Sequence, residues 1–479
     1  MKTDRPQEAP LAKRPSPGWG PVITSGLLLV VLVALLIPRQ KARTSAGPNP
    51  ADNASVADTR LQHNQRFYSP PRGSNSATNS DAGKTAEEMA AAKLARFGQS
   101  RRELAQALAK RAGVAVPEDV QKFFEAVESG NWEEIDARFK ALSGGEPNAG
   151  HSVERRPEVS AMWAAIVDAY GAAEQVHLWP AQKLLDYGNS LLGSLRPGMI
   201  YVGGTDNGRW IPELLNDTSG GEQHMVLTQN GLADGQYLDY LNLLYGDRLA
   251  MLTQSDSQQA FQDYIADARK RFEHDQQFPD QPKQVLPGES ISVGDNGSIK
   301  VSGQVAVMLI NERLLNALMQ KNPDQTFALQ ESFPLKGTYA NALPLGPLME
   351  LGAADAQNAF TPERATQAVD YWTSAANTIL ADPQATASES VMRSYSHDVD
   401  STANLLAAHD FTGQAEQAYR LASQLWPGNP EPINGLAELL NRNGRGDEAA
   451  QLLNDFIAKY PDQRSTFQSR WSASITFKQ

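Results

Sequence analysis

The chain has 479 residues, 41% apolar and 20% charged, enough for roughly two to four domains with ordinary cores. Its net charge of −12 lacks the basic balance of a general nucleic-acid binder, so no nucleic-acid partner is expected. It has no cysteine, which excludes disulfides, thiolate metal sites, a thiol nucleophile and lipid attachment through cysteine.

Residues 1–18 form a short head carrying Lys2, Arg5, Lys13 and Arg14. The run VITSGLLLVVLVALLI at 22–37 has no charge, and Trp19 and Pro38 bound it. A helix over 19–38 rises ~1.5 Å per residue and so crosses the ~30 Å hydrocarbon layer. This predicts a single-pass transmembrane anchor, with Trp19 at an interface. A cleaved signal peptide is the alternative, but Pro38-Arg39-Gln40-Lys41 follows where a small-residue cleavage site would stand. Basic residues flank both ends, so the charge rule gives little bias. A short basic head makes an inside N-terminus the default, with the body extracytoplasmic (periplasmic). Residues 39–83 are rich in Ser, Asn, Pro and Gly and read as a disordered linker. Gly83-Lys84-Thr85 is no phosphate loop, because Thr78 stands where its first glycine belongs.

Residues 84–195 read as a helical region. Met89, Leu94, Phe97, Leu104 and Leu108 lie at helical spacings, and a hairpin follows over 117–142, broken at Gly130. Two further helices, near 158–173 and 179–194, carry Trp163, Tyr170, Trp179 and Tyr187. Glu174 and His177 near their junction fit a surface or cap, or a site lining.

The pattern changes over 196–352. Short apolar runs at 199–202, 224–228, 248–252, 326–330 and 348–351 read as strands separated by helical segments. A hairpin is expected at 291–293 and 299–301, around Asp295-Asn296-Gly297. The alternation predicts an α/β domain with a mainly parallel sheet. Ligands of such sheets bind outside the carboxyl ends of the strands. The polar residues there make Asp206, Arg209, Asn230, Asp234, Asp256 and Glu331 candidate ligands for a small polar molecule such as a sugar or nucleotide. The alternative reading is structural: Asp206 and Asp256 precede or open helices as caps, and Asn230 suits a turn. No dinucleotide fingerprint, HExxH or GxSxG occurs, so no catalytic residue, metal or cofactor is assigned.

Four runs carry a resemblance: IYVGGTDNGR at 200–209, LTQN with LAD at 227–234, VSGQVAV at 301–307 and ESFPL at 331–335. Over about 160–352 the chain resembles the soluble α/β part of a bacterial family of unknown function. The relatives of that family include multi-spanning, protein O-mannosyltransferase-like membrane proteins, some with tetratricopeptide repeats. The resemblance implies a carbohydrate or cell-envelope context. It assigns no catalytic residue, and one apolar segment does not make the multi-spanning core of the transferase members.

Residues 361–462 read as helical repeats. Ala403, Leu406, Ala415 and Pro427 recur 34 residues later as Ala437, Leu440, Ala449 and Pro461, which is the tetratricopeptide period. The second copy adds Leu436 and Gly444, where the first has Thr402 and Asp410. Residues 361–396 are expected to supply a further degenerate helix pair, and 463–479 a tail. Such stacks present a groove to a protein or peptide partner, or serve here as a cap on the α/β domain. The sequence therefore predicts α/β plus all-α architecture and a membrane-anchored interaction protein, with a glycan- or nucleotide-sugar-binding or glycosyltransferase-related domain as the alternative.

Overall fold

The computed structural model describes residues 83–144, 155–204, 206–286, 288–294, 298–355, 358–464, 467 and 471. The expected anchor at 19–38 and nearly all of the linker lie outside the described residues. Among the described residues, no helix is long and apolar enough to cross a membrane.

Helix α1 (Ala86–Ala112) opens on a capping box: Thr85 Oγ1 accepts from the Glu88 amide, and the Glu88 carboxylate accepts from the Thr85 amide. The hairpin α2 (Glu118–Ser129) and α3 (Trp132–Ser143) turns at Gly130, whose φ of +72° suits glycine. A short α4 (Pro157–Ala161) precedes α5 (Trp163–Leu178) and α6 (Ala181–Leu192). Helix α1 packs on α2, α5 and α6, burying Leu94, Phe97 and Leu108.

Next come β1 (Ile200–Gly203), α7 (Asn207–Asp217), β2 (Val226–Thr228), α8 (Gly235–Tyr245) and α9 (Gln254–Gln277). The hairpin β3 (Ser290–Val293) and β4 (Ile299–Ser302) forms a separate two-stranded sheet. After α10 (Gln304–Lys321) come β5 (Phe327–Leu329), β6 (Leu343–Leu345) and β7 (Leu348–Leu351). The main sheet has the order β2-β1-β5-β7-β6. Strand β1 is parallel to β2 and β5, while β7 is antiparallel to β5 and β6.

The sheet is thus mixed and small, and most of the described chain is helical; the expectation of a mainly parallel sheet is corrected. Two features explain the difference. Residues 343–345 form an antiparallel strand that a proline at 344 disguised, and proline is tolerated there because β6 is an edge. Residues 248–252 are not a strand. The Asn322 amide takes both ladder groups of Ala250, accepting from its N–H at 2.8 Å and donating to its carbonyl at 3.0 Å. Buried Leu249 and Leu252 give the segment an apolar signature without a strand partner. The other edge is closed by α8: the Tyr245 and Tyr237 hydroxyls accept from the outward amides of Val226 and Thr228 at 3.2 and 2.9 Å.

The remaining helices are α11 (Pro362–Leu380), α12 (Pro383–Thr386), α13 (Glu389–Ala408), α14 (Thr412–Leu425), α15 (Pro430–Arg442) and α16 (Gly446–Lys459). Hairpins α13–α14 and α15–α16 are the two repeats, and α14 packs on α15. Ala403, Ala415, Ala437, Ala449 and Leu436 are buried where paired helices meet. Pro427 follows α14, and Pro461 opens a short 3-10 turn after α16. Phe467 packs on Phe456, and the Trp471 indole donates to Asn434 Oδ1 at 3.0 Å, covering the outer repeat. One hydrophobic core runs from α1 through the sheet to these repeats.

The turn between repeat helices needs a left-handed residue. Gly444 supplies it at φ +75°, and its counterpart Asp410 has φ +61°, the one positive value at a non-glycine among the described residues. Asp410→Gly is therefore expected to stabilise the chain by about 0.5–1 kcal/mol. Urea unfolding checks this, and a midpoint below wild type would contradict it.

Candidate functional site

Helix α7 leaves the carboxyl end of β1 and is buried along most of its length. It carries polar side chains in two directions. Arg209 points inward and is 4% exposed. Its Nε donates to Glu213 at 3.0 Å, and its guanidinium pairs with Asp168 of α5. Arg101 of α1 reaches the same acids, 2.9 Å from Glu213 and 3.3 Å from Asp168, and pairs with Asp217 at 2.7 Å. The Tyr240 hydroxyl donates to Asp168 at 2.6 Å. Burial pushes the Asp168 carboxyl up to about 7, against the pull of Arg209 and Arg101. Burial also works against the Glu213 charge, but the two guanidiniums hold that carboxyl below its ordinary value. Arg209 is consequently spent inside the protein and offers nothing at a rim.

The second cluster lies at the carboxyl ends of β1 and β5. Asp206 is half-buried and caps α7, its Oδ1 accepting from the Gly208 amide at 2.9 Å. It also hydrogen-bonds Ser332, which sits so close to Gly204 that a Cβ there would meet its Oγ at 1.8 Å. Helix α13 faces these strand ends. Gln330 Nε2 donates to Asp398 Oδ1 at 2.7 Å, and the Tyr187 hydroxyl donates to Asp398 Oδ2 at 3.0 Å. The Asn207 amide bonds Ser394. The buried Glu331 carboxylate accepts from the Tyr339 hydroxyl at 2.6 Å, the Leu335 amide at 3.2 Å and the Ser401 hydroxyl at 3.2 Å. His397 Nε2 lies 2.7 Å from the Glu331 carbonyl, and His409 Nε2 lies 2.7 Å from the Tyr339 carbonyl.

Burial pushes Asp398 and Glu331 each up to about 7 and raises Asp206 and Asp400 as well. Burial opposes the charge on His397, but Glu431 and the surrounding acids hold the imidazole well above its ordinary value. Among the described residues, no group of three or more His, Asp or Glu could hold a metal ion. The carboxylates of Asp398 and Glu331 are engaged by this chain's own donors, so the arrangement is a polar joint between the repeats and the sheet.

The six candidate residues do not converge. Asp206 and Glu331 share the joint, while Arg209 lies in the inner ion cluster. Asp234 is exposed and caps α8, accepting from the Gln236 amide at 2.8 Å. Asp256 does not cap α9 as its first residue; Thr253 does, with Asp256 completing the capping box and pairing with Lys321 at 2.7 Å. Asn230 is half-buried, its backbone N–H donating to Thr228 Oγ1 at 3.4 Å in the turn after β2. His177 stacks on Trp132 with centroids 4.7 Å apart.

Sequence reasoning passed over Gln330, His397, Asp398, Asp400 and Ser401. A signal was present: 394–402 reads SYSHDVDST, more than two helical turns in which only Tyr395 and Val399 are not polar. A helix of that kind inside an apolar stack must have polar partners.

Residues 405–469 match the tetratricopeptide repeat family. No curated protein and no solved structure matches the chain. The match overlaps both hairpins whose 34-residue register the sequence displays, so this chain is a tetratricopeptide-repeat-containing protein.

Proposed function

We propose that this chain is a membrane-tethered interaction protein of the cell envelope, whose repeats bind a protein or peptide partner. The observation carrying this reading is the repeat pair itself, because stacked helical hairpins recruit partners through side chains on one face. The first repeat spends that face on the sheet. On α15 of the second, Glu431, Asn441 and Arg442 are exposed. The uncharged run at 22–37 supports the tether, and the resemblance over 160–352 supports the envelope setting.

The test is affinity capture from solubilised membranes with the full chain. Asn441→Asp combined with Arg442→Glu changes exposed side chains and should leave the fold intact. Loss of at least one partner, with an unchanged thermal midpoint, is the expected result. An identical partner set would overturn the partner-binding reading. Fractionation tests the tether separately: deletion of 19–38 should release the chain from the membrane, and protease access in intact cells reads the side on which the body lies.

A further inference from the structure

His397 and Glu431 occupy the same position in successive repeats, 34 residues apart. His397 Nδ1 lies 2.8 Å from the Glu431 carboxylate, and Nε2 lies 2.7 Å from the Glu331 carbonyl. Both partners are acceptors. A neutral imidazole has one N–H and one lone pair, so it satisfies only one of them. The imidazolium satisfies both, and in doing so joins α13, α15 and the segment after β5.

We propose that His397 is a proton-operated latch, closed as imidazolium, that holds the inner face of the first repeat against the strand ends of the sheet. Burial opposes the cation, and the acids around it outweigh that. Glu431 faces it from α15, Glu331 from beyond β5, Asp206 from the start of α7, and Asp398 and Asp400 from its own helix. Arg393, one turn earlier on α13, acts on Glu431. Tyr187 and Tyr201 face Asp398, both held well above the ordinary phenol range by burial.

The direction follows from the signs. A histidine raised on folding contributes its stability fully below the ordinary value and loses it as pH rises through the raised one. Asp398 and Glu331 are also raised, to about 7, so their ionisation penalises the folded joint as pH climbs from the ordinary carboxylate range to about 7. Both effects make the joint tightest in mild acid and loosest in alkali.

The experiment uses the full chain in detergent with labelled histidine. The His397 resonance, assigned by its loss in His397→Gln, should titrate above the unperturbed ~6.5, and Glu431→Gln should move it down. Hydrogen exchange, corrected for intrinsic rate, should show protection of α13 and of 331–339 falling at least tenfold from about pH 6 to about pH 9 in wild type. That fall should be several-fold smaller in His397→Gln. A His397 titration at or below the unperturbed value overturns the latch. So does a wild-type protection profile unaffected by pH, or one whose fall persists in full in His397→Gln. The wild-type titration decides the matter even if a variant folds poorly.

Discussion

Arg209→Ala is expected to cost about 3–5 kcal/mol of folding stability, because it leaves Asp168 and Glu213 buried against a single remaining cluster cation, Arg101. The loss should appear as a lower urea midpoint with a similar slope. The measurement separates two roles for this residue. A guanidinium waiting for an anionic ligand at a strand end would lose affinity when truncated but leave the fold nearly untouched. The ion cluster demands the reverse. A change below about 0.5 kcal/mol, typical of an exposed side chain, would refute the structural role. Asp234→Ala makes a useful contrast, since it removes only an exposed helix cap, expected to cost about 0.5–2 kcal/mol.

Trp372→Ala should be of comparable size, about 3–5 kcal/mol, through loss of a large core side chain. Trp372 is 1% exposed on α11, and its indole N–H donates to Thr402 Oγ1 at 2.8 Å. This contact explains why the first repeat has Thr402 where the second has Leu436. The hydroxyl is needed to meet an indole that the second repeat does not have, and it donates in turn to the Asp398 carbonyl at 3.3 Å. Trp372→Phe keeps most of the apolar area and should cost less, about 1–3 kcal/mol. Equal losses for the two variants would mean that the hydrogen bond, not the packing, dominates.

Much of the architecture was legible because it rests on periodicity. The 34-residue register located both repeat hairpins, Gly444 marked the break of the second, and Gly130 marked that of the α2–α3 hairpin. The strand at 348–351 was legible as a short apolar run. Side-chain mimicry of backbone was not: nothing in 248–252 reveals that Asn322, some seventy residues away, would occupy both ladder groups of Ala250. The candidate site divides in the same way. Placing polar residues at strand ends follows from topology, and Asp206 and Glu331 do meet there. Whether a side chain turns outward or inward depends on which helix covers it. Arg209 is drawn in by Asp168, a buried acid on α5. The polar run at 394–402 needed a partner surface, and only the fold identifies that surface as the sheet.

The covering of the outer repeat by Phe467 and Trp471, together with the joint at α13, bears on how such a protein can change over time. Free-standing solenoids lengthen by duplication because each unit meets only its neighbours. Here the inner unit is keyed to a particular sheet and the outer one to a particular pair of aromatic residues. A duplicated unit would be accommodated most readily between α14 and α15, where one hairpin hands over to the next. His397 and Glu431 would then be parted unless the newcomer carried an acid at the equivalent position. The array is in that sense a closed sentence rather than an open list, and its length is tied to the chemistry of a single side-chain pair.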